Sequence, residues 1–483
     1  MMILKNVIEK EIFNYGGIEN YLYSQQKKFL LRFLTCGSVD DGKSTLIGRL
    51  LHDSQHIYDD QLSTLYKDNN CFGVHKDKLD LSLLMDGLQL ERAQGITIDV
   101  AYRYFSTEKR KFIIIDTPGH EEYTRNMVTG ASNSSLAILL IDACKGIRKQ
   151  TRRHWFISVL MGIKYIVVVI NKMDLVDYNR EVFQDICKKY LEFNGKLSCN
   201  IDTKFIPISA LEGDNVIMKS KNMVWYEGPT LFDILENVNI DSIIDINNQQ
   251  LRFPVQCVIR DNFNIRGYSG TVSSGNMYVG QYIKVLPTNT VSCIKRIFNF
   301  KNDQVRALSG ESITVTLTDD VDVSRGDIII DSKDMVNLTQ NVLVDVIWMK
   351  TESLKQNQCF DVKITTKFYR VRVKHIQYCI NIHTFDYQKS DEIPYNGIGL
   401  VELLFEEPVV LDEYIYYPVT GSMIFVDICS NDTVGAGMVR HSINSSNLNN
   451  KLNNDKKYSE FEVSLHSLIR LHFPHWNVQD LPK

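Results

Sequence analysis

Cysteine is present but never clustered. The ten cysteines of this 483-residue chain are scattered from Cys36 to Cys429, and no two form a CxxC pair. That spacing excludes a zinc ribbon and offers no disulfide framework, so reduced thiols in the cytoplasm are expected. Excess charge of either sign is also missing, because the formal net charge is only −4. A protein that coats a polyphosphate carries a basic surplus, so no nucleic-acid partner is expected. Long apolar runs are lacking as well. Stretches such as Leu136–Ile141 and Ile166–Ile170 are strand-sized, far short of the roughly 20 residues that cross a bilayer. The N-terminus shows no basic segment followed by an apolar stretch and a small-residue cleavage site, so no export signal and no membrane partner are read.

What is present is an ordinary globular composition, 44% hydrophobic and 23% charged, at a length that implies several domains. Residues 1–27 read as a short helical lead-in. From 28 to 240, strand-like runs at Phe29–Cys36, Phe112–Ile115, Leu136–Ile141, Tyr165–Ile170 and Lys204–Ile208 alternate with helix-length segments. Such alternation predicts an α/β domain, a mostly parallel sheet with helices on both faces. The polar stretch Asp241–Gln250 reads as a linker. Beyond it, short Gly-punctuated strands predict two antiparallel β-barrel domains, at 251–335 and 336–440. Residues 441–483 read as an Asn-rich spacer and a C-terminal helix with Phe461, Leu465, Leu468 and Ile469 on one stripe, stopped by Pro474.

Four short segments fall in order through the α/β region. The first, Gly37-Ser38-Val39-Asp40-Asp41-Gly42-Lys43-Ser44, follows a strand and opens a helix, which is the context of a phosphate loop. Its glycines let backbone N–H groups face phosphate oxygens at a helix N-terminus. Lys43 is expected to bridge the terminal phosphates and Ser44 to ligate Mg²⁺. Acids repel phosphates, so Asp40 and Asp41 are both expected to point outward. The second segment is Asp116-Thr117-Pro118-Gly119-His120. Asp116 ends an apolar strand and is a candidate Mg²⁺ ligand; Gly119 would let its N–H approach the γ-phosphate, and His120 is the candidate for positioning the attacking water. Between these two, Thr97 in Gly95-Ile96-Thr97-Ile98-Asp99 is placed to close over Mg²⁺ as a mobile switch residue.

The third segment, Asn171-Lys172-Met173-Asp174, selects the base. A carboxylate at Asp174 can accept from both N1–H and the exocyclic amine of guanine, whereas adenine would leave it unpaired. Lys172 would lie along the base plane. Ser209, Ala210 and Leu211 form the fourth segment, whose backbone would contact the guanine oxygen. GTP with Mg²⁺ is therefore the predicted ligand.

An α/β phosphate-loop GTPase domain followed by two antiparallel β-barrels resembles the translational GTPase superfamily, which includes elongation factor Tu. Wording that nucleotide chemistry does not demand carries a closer resemblance. It runs through Leu30–Ser54, Ala93–Ser132, Gln150–Tyr178, Trp225–Leu231, Ser324–Ile330, Asn396–Leu403, Asn431–Val439 and Arg470–Trp476. These stretches look like the GTPase (large) subunit of bacterial sulfate adenylyltransferase, the ATP-sulfurylase heterodimer. The resemblance implies a smaller ATP-binding partner subunit that makes adenosine 5′-phosphosulfate and pyrophosphate from ATP and sulfate. It also implies that GTP hydrolysis here drives that step of sulfate assimilation. The chain holds one GxxxxGK[S/T] loop, already committed to guanine, which places adenylyl transfer on another chain. The competing expectation is an elongation-factor-type GTPase that delivers aminoacyl-tRNA; the acidic balance and the detailed wording tell against it.

Overall fold

The computed structural model describes residues 16–54, 81–84, 91, 96–195, 201–239, 249–260, 266–299, 302–336 and 338–443. Helix α1 (Ile18–Lys27) leads into a six-stranded sheet built from β1 (Phe29–Cys36), β2 (Ala101–Ser106), β3 (Arg110–Asp116), β4 (Leu136–Asp142), β5 (Tyr165–Asn171) and β6 (Asp202–Pro207). The strand order is β2-β3-β1-β4-β5-β6. All neighbours are parallel except β2, which runs antiparallel to β3. Every residue of β4 and β5 is buried. A strand covered on both faces has no use for alternation, which is why both read as unbroken apolar runs.

The covering helices are α2 (Lys43–Asp53), α3 (Thr124–Ser132), α4 (Lys149–Leu160), α5 (Arg180–Asn194) and α6 (Leu231–Asn237). One face of the sheet packs on Leu46, Ile47 and Leu50 of α2 and Leu231 and Leu235 of α6. The opposite face packs on Met127 of α3, Trp155 and Ile157 of α4 and Tyr190 of α5. Local signals set the helix starts. The Asn179 side chain accepts from Glu181 N–H ahead of α5, and Thr230 forms a reciprocal capping box with Asp233 ahead of α6.

Residues 253–331 form an antiparallel sheet in which the strands Tyr282–Leu286 and Thr290–Phe298 also pair with each other, closing it into a barrel. Residues 338–442 close in the same way through pairing of Cys359–Ile364 with Lys367–Ile380. The fold class expected from the sequence is therefore the one observed. Closure removes the free strand edges, and inward-facing Val and Ile side chains fill each interior.

Two junctions tie these units together. The core that includes α4 continues into the last barrel through Ile347, Ile380, Phe385, Ile398 and Met438. The barrels are joined by Arg252, whose guanidinium donates to both carboxylate oxygens of Asp412 at 2.9 Å and to Asp334 at 2.5 Å, while lying over the Tyr417 ring. Among the described residues no helix is long and apolar enough to cross a membrane. Residues 1–15 of the expected lead-in, most of the expected linker and the expected C-terminal helix lie outside the described residues.

Candidate functional site

The four segments converge at the C-terminal ends of the parallel strands, as the alternating pattern requires. Gly37–Ser44 leaves β1 and enters α2 through Gly42, whose φ of 90° lies in the left-handed region. A side chain on Gly37 would collide with the Leu140 carbonyl at 2.7 Å. Lys43 curls back so that Nζ donates to the carbonyls of Ser38 (2.7 Å) and Gly37 (3.3 Å). Its burial lowers the ammonium pKa, against the raising pull of Asp41 and Asp116.

Asp40 is exposed as expected, 3.7 Å from Lys145 Nζ. Asp41 is not. Its carboxylate turns inward, is 2% exposed, and accepts the Ser38 N–H at 2.6 Å. Burial pushes its pKa up to about 6, with Lys43 opposing. A backbone amide facing into the loop is a stronger local partner than solvent, and the nearby Lys43 offsets part of the charge.

The three predicted metal ligands are brought together. Ser44 Oγ lies 3.2 Å from Thr97 Oγ1 and 3.1 Å from Asp116 Oδ2. Thr35 Oγ1 donates to the other carboxylate oxygen, Asp116 Oδ1, at 2.9 Å. Burial raises the Asp116 pKa, with Lys43 pulling it down. Two hydroxyls and one carboxylate are hard oxygen donors of the kind Mg²⁺ takes, and a small cation would offset the charge buried at Asp116. Thr97 is held in place by its neighbours. Glu91 Oε1 accepts the N–H groups of Ile98 (2.9 Å) and Asp99 (3.2 Å), and Asn126 Nδ2 donates to the Ile98 carbonyl at 2.8 Å.

Thr117 donates to the Thr35 carbonyl at 2.7 Å, and Pro118 and Gly119 are buried. A Cβ on Gly119 would meet Ser38 C and Val39 N at 2.8 Å, so only glycine lets this turn approach the phosphate loop. His120 stands apart. Its side chain is 45% exposed, and Nδ1 accepts from Glu122 N–H at 3.3 Å, capping the turn Glu121–Tyr123. No hydrogen bond joins it to Lys43, Ser44 or Thr97 among the described residues. The last barrel holds the same turn: Asn396 Nδ2 donates to the Glu121 carbonyl at 2.9 Å and Tyr395 OH to that of Glu122 at 3.4 Å.

Asn171 is 2% exposed and ties the site internally, donating to the Asp41 carbonyl (2.8 Å) and accepting Ala210 N–H (2.9 Å). The Ala210 amide is thus engaged within the protein. Lys172 has φ 63° and places Nζ 2.9 Å from an Asp142 carboxylate oxygen. Met173 is buried, with its N–H on the Ile208 carbonyl. Asp174 is half-buried in the turn Met173–Val176, and its carboxylate has no hydrogen-bond or ion-pair partner among the described residues. Ser209 Oγ accepts from Glu212 N–H, and Arg49 of α2 donates to the carbonyls of Ala210 (3.2 Å) and Leu211.

Arg49, Glu91, Asp142, Arg153 and His154 escaped the reading of the sequence. Asp142 carried a usable signal, since it ends β4 as Asp116 ends β3 and Asn171 ends β5. Arg49 and His154 act on backbone groups more than 100 residues away, Arg153 meets the Glu121 carboxylate and Glu91 accepts two nearby amides, none of which a motif spacing reveals.

Family comparison agrees with this fold. Residues 28–250 match the family described as elongation factor Tu GTP binding domain, and residues 341–440 match the GTP-eEF1A C-terminal domain-like family. The chain is 55% identical over 479 residues to sulfate adenylyltransferase subunit 1 of Sodalis glossinidius, covering 99% of each. It is 54% identical over 482 residues to the protein of the same name from Yersinia enterocolitica, covering 100% of this chain and 99% of the relative. Among solved structures, it is similar to the Ski7 GTPase-like domain of S. cerevisiae bound to GTP, at 19% identity and a TM-score of 0.48, covering 87% of this chain and 99% of that one. On end-to-end identity with its relatives, the chain belongs to the sulfate adenylyltransferase subunit 1 family.

Proposed function

We propose that this chain hydrolyses GTP to drive formation of adenosine 5′-phosphosulfate and pyrophosphate from ATP and sulfate on a smaller, ATP-binding partner subunit. The observation that carries the reading is the convergence of Ser44, Thr97 and Asp116 within hydrogen-bond distance, in a chain of this family. The nucleotide domain is assigned to 28–240 and the barrels to 251–335 and 336–440.

The roles follow from the geometry. Backbone N–H groups of Gly37–Ser44 receive the phosphates, and Lys43 is already held at the loop for the terminal ones. Ser44, Thr97 and Asp116 would hold Mg²⁺, which would supply positive charge to offset what develops on the phosphoryl oxygens. Thr97 ligates only when its segment is closed, so the segment distinguishes GTP from GDP. The unpaired Asp174 carboxylate accepts two guanine donors, with the Lys172 stem along the ring. His120 positions the attacking water after turning inward from its capping position, a rearrangement compatible with its exposure.

Two chains are needed for the test. Purified protein is combined with the small subunit, and sulfate-dependent pyrophosphate release is followed with GTP, with GDP and with neither. GTP should raise release well above the other two conditions. Equal release in all three removes the coupling, even if GTP is bound.

A further inference from the structure

Four consecutive buried residues of α4 reach four different parts of the molecule. Arg153 Nη1 meets Glu121 Oε1 at 3.0 Å, in the turn that immediately follows His120. His154 Nδ1 accepts the N–H of Gly37, the first residue of the phosphate loop, at 3.1 Å. Trp155 donates to Tyr190 OH at 2.9 Å and stacks edge-on at 5.4 Å to Phe385 of the last barrel, whose ring also lies 5.8 Å from Phe156. The helix is therefore clamped by α5 and the barrel on one side and grips two nucleotide segments on the other.

The polar members of this set are costly to keep. Arg153 is 4% exposed and His154 is fully buried. Among the described residues, Arg153 Nε and His154 Nε2 have no hydrogen-bond partner. Because Nδ1 accepts, the imidazole is the neutral tautomer with its proton on Nε2, and burial together with the Lys43 charge pushes its pKa down to about 3. Apolar side chains would fill these places without unsatisfied nitrogens, so packing alone does not account for them.

We propose that Arg153 and His154 are a positioning pair for the GTPase reaction. His154 holds the first turn of the phosphate loop in its binding conformation, and Arg153 holds the turn that carries His120, so one rigid helix registers the two against each other. This rests on the GTPase reading above. His154 acts before chemistry and equally on GTP and GDP. Arg153 acts on a turn that matters only when a γ-phosphate is present.

The test separates the two roles in the full chain. His154→Phe keeps the ring but removes the acceptor, whereas His154→Asn keeps an acceptor close to the Nδ1 position. His154→Phe should weaken GTP and GDP binding equally, about tenfold, with kcat within about twofold, and His154→Asn should recover most of the loss. Arg153→Met should lower kcat about tenfold and leave GDP affinity within about twofold. Glu121→Gln, at a half-exposed carboxylate, should reproduce that effect, and the double variant should be no worse than either single one. Should the Phe variant fail to fold, His154→Leu, which carries no polar atom, replaces it as the acceptor-free arm. Unchanged nucleotide affinity in the acceptor-free variant, or Arg153→Met lowering GDP binding and Tm together without a selective loss of kcat, overturns the pairing. Wild-type protein that binds no GTP overturns the GTPase reading instead.

Discussion

Ser44 and Thr97 stand 53 residues apart, yet their hydroxyl oxygens meet at 3.2 Å beside the Asp116 carboxylate. Neither hydroxyl needs the other for packing. Ser44→Ala should cost about 1 kcal/mol of stability through its lost hydrogen bond to Asp116 and weaken GTP by about a hundredfold in Mg²⁺, a loss of one strong cation ligand. Titration with a fluorescent guanine nucleotide checks this, with an EDTA arm in which wild type and variant should converge.

Asp174 is the proposed base selector, and its carboxylate has no hydrogen-bond or ion-pair partner among the described residues. Asp174→Asn replaces an acceptor with a donor on one arm, leaving one of the two guanine donors facing another donor. GTP affinity should fall by at least about a hundredfold. Xanthosine triphosphate, which carries an oxygen in place of the guanine amine, should bind the variant better than GTP does. Competition binding with the two nucleotides decides it.

Asp41 adds a pH dependence to folding. Its carboxyl sits at about 6 when folded against an ordinary 3.8, so folding takes up a proton between those values. The cost of the buried charge is fully present above about 6 and fades as pH falls toward 3.8. Asp41→Asn should be more stable than wild type at pH 7.5 by on the order of 2–3 kcal/mol. The gap should close as pH is lowered through 6 to 4, as measured by chemical denaturation across that range.

The hydrogen bond from Asn396 to the Glu121 carbonyl supports the turn after His120 from the last barrel. Asn396 has φ 55°, so Asn396→Gly keeps the backbone and removes only the amide. Phosphate release under saturating GTP should slow several-fold, roughly 1 kcal/mol of lost positioning, with GDP affinity unaltered.

Among the described residues, Arg252 is the single cation paired with both Asp412 and Asp334 in their buried contact. Arg252→Met strands two carboxylates and should cost about 3–5 kcal/mol. Calorimetric unfolding would show a lowered, broadened transition as the barrels uncouple.

Much of this was legible because parallel buried strands and phosphate loops have strong local signatures. The apolar runs of β4 and β5 marked their strands almost to the residue, and the polar residues ending strands marked the ligand edge. Strand β2 was not legible. Its sequence AYRYFS exposes Tyr102 and Tyr104 at a sheet edge, so no apolar run announces it. Asp41 was misjudged because spacing places a residue in a loop but does not say which way its side chain turns. Arg153 and His154 were invisible for another reason. Helix α4 is buried by the sheet on one side and by the last barrel on another, so it shows no clean polar stripe to set them against.

The Trp155–Phe385 contact has a practical meaning for anyone dividing this chain. Residues 28–240 contain every nucleotide motif and look like a self-sufficient module. Cutting there would strip Phe385, Ile380, Ile398 and Met438 from a core they share with α4 and uncover the helix that grips the phosphate loop. The excised piece would keep its motifs and lose the wall behind them. For this protein the smallest unit that can be assayed honestly for nucleotide turnover extends through the last barrel.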